Sequence, residues 1–260
     1  MPTNSANKDT IGSPYSDPFS TPGEAAGGGG SLPASMTTPA DLSELVAWWS
    51  TEDNLNISNG IYQFTDKSVN GLDLYQVTSA QRPYLRAAKY NGLPVAEFDA
   101  TGDFLPNTGF LDKLTYQSNP VIWAYVRAGV STAETGYMFS FGSFDDGISH
   151  LVTDTYNTIT IRRAASEIFQ KYDTRTTTSN VPYTHIYRFD GTSIQYYQNG
   201  VQIYDETMSE VPQDSTANMW LGSDYGGTTQ SYRYGYFAEA FFANQDVAIA
   251  DVHTYLSRWT

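Results

Sequence analysis

Two hairpin signatures stand in series between His185 and Tyr204, and they limit what this chain can fold into. His185-Ile-Tyr-Arg-Phe189 runs into Asp190-Gly191, Ser193-Ile-Gln-Tyr-Tyr-Gln198 runs into Asn199-Gly200, and Val201-Gln-Ile-Tyr204 leaves the second turn. Asn-Gly and Asp-Gly supply the positive φ that tight two-residue hairpins demand. Two such turns so close together predict a three-stranded antiparallel meander. Upstream, Val121, Trp123, Tyr125 and Arg127 alternate with Ile122, Ala124 and Val126. A strand apolar on both faces is a central strand covered on both sides.

Asn91-Gly-Leu-Pro-Val-Ala-Glu-Phe-Asp-Ala-Thr-Gly-Asp-Phe-Leu105 reads as a bent strand. Val95 and Phe98 are strand formers, and Pro94 stands at the strand start, where a missing N–H costs least. Asp99-Ala-Thr-Gly102 is a polar corner, after which the strand resumes at Asp103-Phe104-Leu105. Further strands are predicted at Met138-Phe-Ser-Phe141, Thr158-Ile-Thr-Ile-Arg162, Met219-Trp-Leu-Gly222 and from Tyr234 to Phe242. A closing helix is predicted over 246–259, with Val247, Ala250, Leu256 and Trp259, and His253 or Tyr255, on its packed face and Asn244 or Asp246 as its cap. The chain is 260 residues long, enough for one large all-β domain plus extras.

These blocks resemble the laminin G type of concanavalin A-like jelly-roll domain. The 91–105 segment is similar to the family's NG-x-P-x-V-x-FDG-x-x-D-x-L, with Ala100 where Gly is usual. Ile61-Tyr-Gln-Phe-Thr-Asp-Lys-Ser-Val-Asn-Gly71 is similar to W-x-D-K-S-G-N-G, with Phe64 for Trp and Val69 for Gly. Asp190-Gly-Thr192 with Tyr197-Gln-Asn-Gly200 matches a DGT…Y-x-NG block, and Glu239 stands at the Glu of the closing strand. The resemblance covers residues 42–260. It implies an all-β, two-sheet antiparallel sandwich, used in lectins, glycan-binding modules, some glycosidases and many virion proteins. Fold alone does not choose among these. Asp66, Asn70, Gly71, Asp99, Asp103, Asp190, Gly191, Asn199 and Gly200 are expected to be structural turn residues.

Residues 1–40 differ in composition. Pro, Ser, Thr and Gly dominate, and Gly27-Gly-Gly-Gly-Ser31 is a flexible linker. No apolar face is present, so an extended arm is expected here, ahead of a domain over 41–260. Ile11, Tyr15 and Phe19, spaced by Pro14 and Pro18, are candidate anchors on a partner. The start of the chain has no basic and apolar leader pattern, and no run approaches about 18 apolar residues, so neither a signal peptide nor a membrane span is expected.

Fourteen basic against 28 acidic residues give a net charge of −14, which argues against non-specific nucleic-acid binding. With no cysteine there is neither disulfide nor thiolate chemistry. The Glu-x-Asp-x-x-Glu strand of family β-glucanases is missing. Glu97-Phe-Asp99 with Asp103 is the nearest approach, and a structural role fits it better. His150, His185 and His253 lie in three unrelated segments and make no triad or close metal spacing. Asp145-Asp146-Gly147 and Asp224 are loop carboxylates of the kind calcium takes, but acidic solvated loops explain them, and no metal or cofactor is assigned. Tyr225, Tyr232 and Arg233 sit in a loop suited to stacking on sugar rings.

The expectation is a non-enzymatic virion structural protein, such as a phage capsid decoration or head-tail accessory, made in the host cytoplasm. Residues 1–40 would join it to a major capsid or tail protein, and homo-oligomers are expected. The alternative is a module or adhesin that binds surface glycans; a glycoside-active enzyme ranks third.

Overall fold

The computed structural model describes residues 33–53, 55–99, 102–107, 113–129, 135–143, 146–153, 156–173, 178–214, 218–224, 232 and 234–260. The compact unit runs from Leu32 to Thr260. It starts upstream of residue 41 because Ala34 bridges to Val247 and Met36 is buried. The anchors Ile11, Tyr15 and Phe19 and the 27–31 linker lie outside the described residues.

The unit is a two-sheet antiparallel sandwich with a short helical cap. One sheet has the order β15 (Val201–Thr207), β14 (Ser193–Gln198), β13 (Tyr183–Asp190), β8 (Val121–Gly129), β17 (Gly235–Ala243), β6 (Leu93–Phe98), β5 (Tyr84–Tyr90). β1 (Leu45–Ser50) also pairs with β17, along its Glu239–Ala243 half, while β6 pairs with the first half. The facing sheet runs β12 (Ser166–Asp173), β11 (Asn157–Arg163), β10 (Gly147–Thr153), β9 (Thr135–Gly142), β16 (Met219–Leu221), β7 (Leu105–Asn107). A small third sheet joins β2 (Leu55–Ile57), β3 (Ile61–Phe64) and β4 (Leu74–Tyr75).

The meander forms with one shift. Asp190 pairs with Ser193, so the first loop is Gly191-Thr192 and Asp190 is the last strand residue. Asn199 and Gly200 make the second loop, both at positive φ. A Cβ on Gly200 would come within 2.6 Å of the His253 ring, so the turn also seats the C-terminal helix. The bent 91–105 stretch is a crossing between sheets. β6 lies in one sheet and β7 in the other, and Asp99 and Asp103 hold the corner.

All nine residues of β8 are buried, as are all nine of β17. Trp123, Phe139, Phe141, Phe189 and Phe242 fill the space between the sheets, with Trp123 and Phe141 centroids 4.6 Å apart. The opposite faces of β8 and β17 carry Ile122, Ala124, Val126 and Phe241. They pack under helix α1 (Ile249–Leu256) and its 3-10 extension Ser257–Trp259. The packed helix face differs from the sequence expectation. Val252 is buried and Ala250 exposed, and Ala248 is the N-cap without a side-chain bond. Asn244 and Asp246 are engaged elsewhere: Asn244 receives the Thr115 N–H, and Asp246 pairs with Arg188 at 2.7 Å.

Glu239 fastens this layer. It is fully buried on β17, beside a bulge between Phe237 and Glu239. Oε1 accepts Trp48 Nε1–H and Tyr255 O–H, both at 2.7 Å; Oε2 accepts Trp259 Nε1–H at 2.9 Å and pairs with Arg258 at 2.6 Å. Burial and the Glu239 charge push the Tyr255 phenol well up, so it stays a donor. Breaking a buried ion pair by removing one partner costs about 3–5 kcal/mol. Glu239→Gln should therefore lose stability of that order in denaturant unfolding, with altered Trp48 and Trp259 fluorescence. A loss below about 1 kcal/mol would contradict the latch.

Candidate functional site

A groove of about 520 Å³ opens where the small third sheet meets β7, lined by Tyr62, Gln63, Gly71, Leu72, Asp73, Tyr75 and Asn107. Its construction starts from the 66–73 connection between β3 and β4. Asp66 is buried, and its carboxylate accepts four bonds. Oδ1 takes Trp48 N–H and Ser68 N–H, each at 2.9 Å; Oδ2 takes Ser68 O–H at 2.6 Å and Leu72 N–H at 2.8 Å. Asn70 Nδ2 donates to the carbonyls of Leu45 and Val46. These bonds tie the loop to β1. Gly71, at φ 66°, then turns the chain so that Asp73 reaches the groove wall.

Asp73 is held from both sides. Its Oδ1 accepts Asp66 N–H at 2.8 Å, its Oδ2 accepts Gln63 Nε2–H at 2.6 Å, and its carbonyl accepts Asn107 Nδ2–H at 2.8 Å. Asn107 is buried, and its Oδ1 has no donor among the described residues. Tyr75 is 42% exposed. Arg82 stands behind Tyr62 with its guanidinium carbon 4.9 Å from the ring centroid. Its Nε donates to Gln76 O at 2.7 Å and its Nη2 to Val77 O at 2.6 Å, while Nη1 donates to Ser58 O. The groove thus combines an exposed aromatic, two amides and a carboxylate with a volume that suits a small molecule.

The residues singled out in the sequence fall elsewhere. Tyr225, Arg233 and Asp145 lie outside the described residues. Tyr232 is not an exposed stacking ring. It is fully buried, 5.6 Å from the Phe98 centroid, in a space that a side chain on Gly235 would overrun. Asp146 Oδ1 accepts Ala164 N–H, and no group of three or more His, Cys, Asp or Glu gathers at metal-binding distance among the described residues. His150 and His185 do meet, with ring centroids 5.9 Å apart, each hydrogen-bonded to a tyrosine, Tyr125 and Tyr196 respectively. Burial first, and then Arg127, hold both imidazoles well below their usual range, so they are neutral core groups closed to a substrate.

Among the carboxylates, Glu97 pairs with Arg86 and accepts Tyr236 O–H at 3.4 Å, and Asp99 N–H donates to Asp103 at 2.9 Å. Asp103 is buried and is pushed up to about 7 by that burial; the Asp99 N–H opposes the shift, and the Asp99 and Glu97 charges add to it. None of the three lines the groove. Nothing in the sequence singled out Asp73, Tyr75 or Asn107 as a site.

No family model and no curated relative matches the sequence. Solved structures resemble it in fold. The binding domain of Paraclostridial Mosquitocidal Protein 1 is 11% identical with a TM-score of 0.60, over 82% of this chain and 52% of that one. The binding domain of botulinum neurotoxin DC in complex with rat synaptotagmin II is 9% identical, TM-score 0.59, over 84% and 52%. A botulinum neurotoxin type C structure, described by dependence of cell entry on two ganglioside molecules, is 9% identical, TM-score 0.59, over 86% and 53%. The chain thus spans about half the length of these proteins. At such identity the likeness shows the β-sandwich fold.

Asp103 gives the corner a pH signature. The folded carboxyl keeps its proton to about pH 7, whereas the unfolded one releases it near 3.8. Between those values the folded state binds more protons, so this group costs stability as pH rises. Asp103→Asn removes the titration. The stability of the variant relative to wild type should rise from pH 4 to pH 8, by on the order of 2–4 kcal/mol, in parallel denaturant titrations. A pH-independent difference would refute the buried, protonated corner.

Proposed function

We propose that this chain is a non-enzymatic carbohydrate-binding β-sandwich module, and that the groove between the small third sheet and β7 is its saccharide seat. The observation that carries this reading is the groove itself. An exposed Tyr75 ring stands beside Gln63, Asp73 and Asn107, over about 520 Å³. Apolar ring faces and fixed polar groups are what a sugar's C–H face and hydroxyls require. The concanavalin A-like resemblance and the ganglioside named for a structural neighbour support the same class of ligand. The neighbour in complex with rat synaptotagmin II supports a binding module as opposed to an enzyme.

A second reading is attachment to a virus particle through residues 1–40, with the sandwich displayed outward. The linker at 27–31 and the Ile11, Tyr15 and Phe19 pattern favour it. Deleting residues 1–32 should leave a folded β protein with unchanged groove binding and abolish incorporation into particles; incorporation at full occupancy would end this reading.

Tyr75→Ala and Gln63→Ala are the direct tests of the groove. Tyr75 is exposed at 42%, so the variant should stay folded and bind saccharide about tenfold more weakly, or about 1.4 kcal/mol. Unchanged affinity for a bound glycan in both variants would move the site elsewhere.

A further inference from the structure

We infer that the groove selects uncharged, hydroxyl-rich saccharides and rejects anionic ones such as sialylated or sulfated glycans; this rests on the glycan-binding reading above. The argument is a matter of donors and acceptors. Among the described residues of the lining the charged one is Asp73, and none is a lysine or arginine. Its carboxylate receives one bond on each oxygen, which leaves a lone pair on each for an incoming donor. Behind it, Asn107 Nδ2 donates to the Asp73 carbonyl and fixes that backbone against the groove wall.

The open lone pairs of Asp73 favour a ligand that brings hydrogen-bond donors. Sugar hydroxyls do so without charge. A carboxylate or sulfate brings acceptors alone and would face Asp73 at close range.

The neighbouring cations do not reverse this. Arg82 is buried and turns Nε, Nη1 and Nη2 onto backbone carbonyls, so its guanidinium is not presented to an anion in the groove. Lys67 pairs with Asp53 at 2.9 Å and lies 3.9 Å from the Trp48 ring centroid. The net charge of −14 adds a long-range field of the same sign. Recognition by donor-rich neutral surfaces is the chemistry this wall permits.

The test uses the full chain on a printed array of neutral oligosaccharides and their sialylated and sulfated counterparts. Calorimetry then follows on the best neutral ligand and its anionic partner. The expected result is binding of the neutral member and at least tenfold weaker binding of the anionic one at low salt. Raising salt from about 20 mM to about 0.5 M should narrow that gap, because screening weakens repulsion at the groove mouth. Asp73→Asn should narrow it too. If that variant fails to fold, the salt series on the unaltered protein decides. Equal or tighter binding of the anionic partner would overturn the selectivity, and a gap that salt leaves unchanged would overturn its assignment to charge, each leaving the groove as a glycan site. Binding of no saccharide of either class would remove the glycan reading, and this inference with it.

Discussion

A carboxylate buried in the middle of a central strand imposes the strictest condition on this fold. Glu239 is fully buried, and an unpaired charge at that depth would not be tolerated. Trp48 from β1 and Tyr255, Arg258 and Trp259 from the C-terminal segment all converge on it. Satisfying Glu239 therefore requires both the pairing of β1 with β17 and the docking of the helix. The helix in turn covers Ile122, Ala124 and Phe241, which makes continuous burial of β8 and β17 sustainable. A chain that left the helix undocked would expose an apolar sheet face and strand a charge at once.

The space between the sheets is less uniform than a hydrophobic core usually is. Tyr125, Tyr187, Tyr196, His150 and His185 form a stacked aromatic layer, with Tyr125 and His185 nearly parallel at 4.9 Å. Arg127 joins it and donates to Asn157 at 2.6 Å, linking the two sheets. Each histidine bonds a tyrosine through Nδ1, and directional bonds of this kind fix a packing that apolar groups alone would leave degenerate. At one edge Lys171 and Glu206 close the sandwich between β12 and β15. Both are partly exposed, so that pair positions more than it stabilises.

The sheet framework was legible in the sequence because its signals are local. Asn199-Gly200 names its own turn type, and the alternation from Val121 to Arg127 reports burial on both faces without reference to any other segment. Asp66, Asn70 and Gly71 were legible as turn residues for the same reason. The groove was not, since it joins Asp73 to Asn107 across a sheet crossing. The partners of Glu239 lie up to 191 residues away, and no local pattern announces them. Tyr232 misled because its neighbours are polar loop residues, while its ring turns inward onto Phe98. His150 and His185 sit on strands of different sheets, so their meeting depends on how the sandwich closes. The cap of α1 failed for a simpler reason: Asn244 and Asp246 have the right chemistry but are engaged by Lys113, Thr115 and Arg188.

The tie between Ala34 and the helical layer has a topological consequence. Ala34 N–H donates to Asp246 O and its carbonyl accepts Ala248 N–H, Met36 N–H donates to Asp251, and the Thr260 carbonyl accepts Asn91 Nδ2–H. Residues 34–36 and the helical segment therefore share one layer, on the same side of the sheet. Losing residues 34–36 would uncover the helix layer that Met36 helps to bury and leave the Asp246 carbonyl and the Ala248 N–H without their partners.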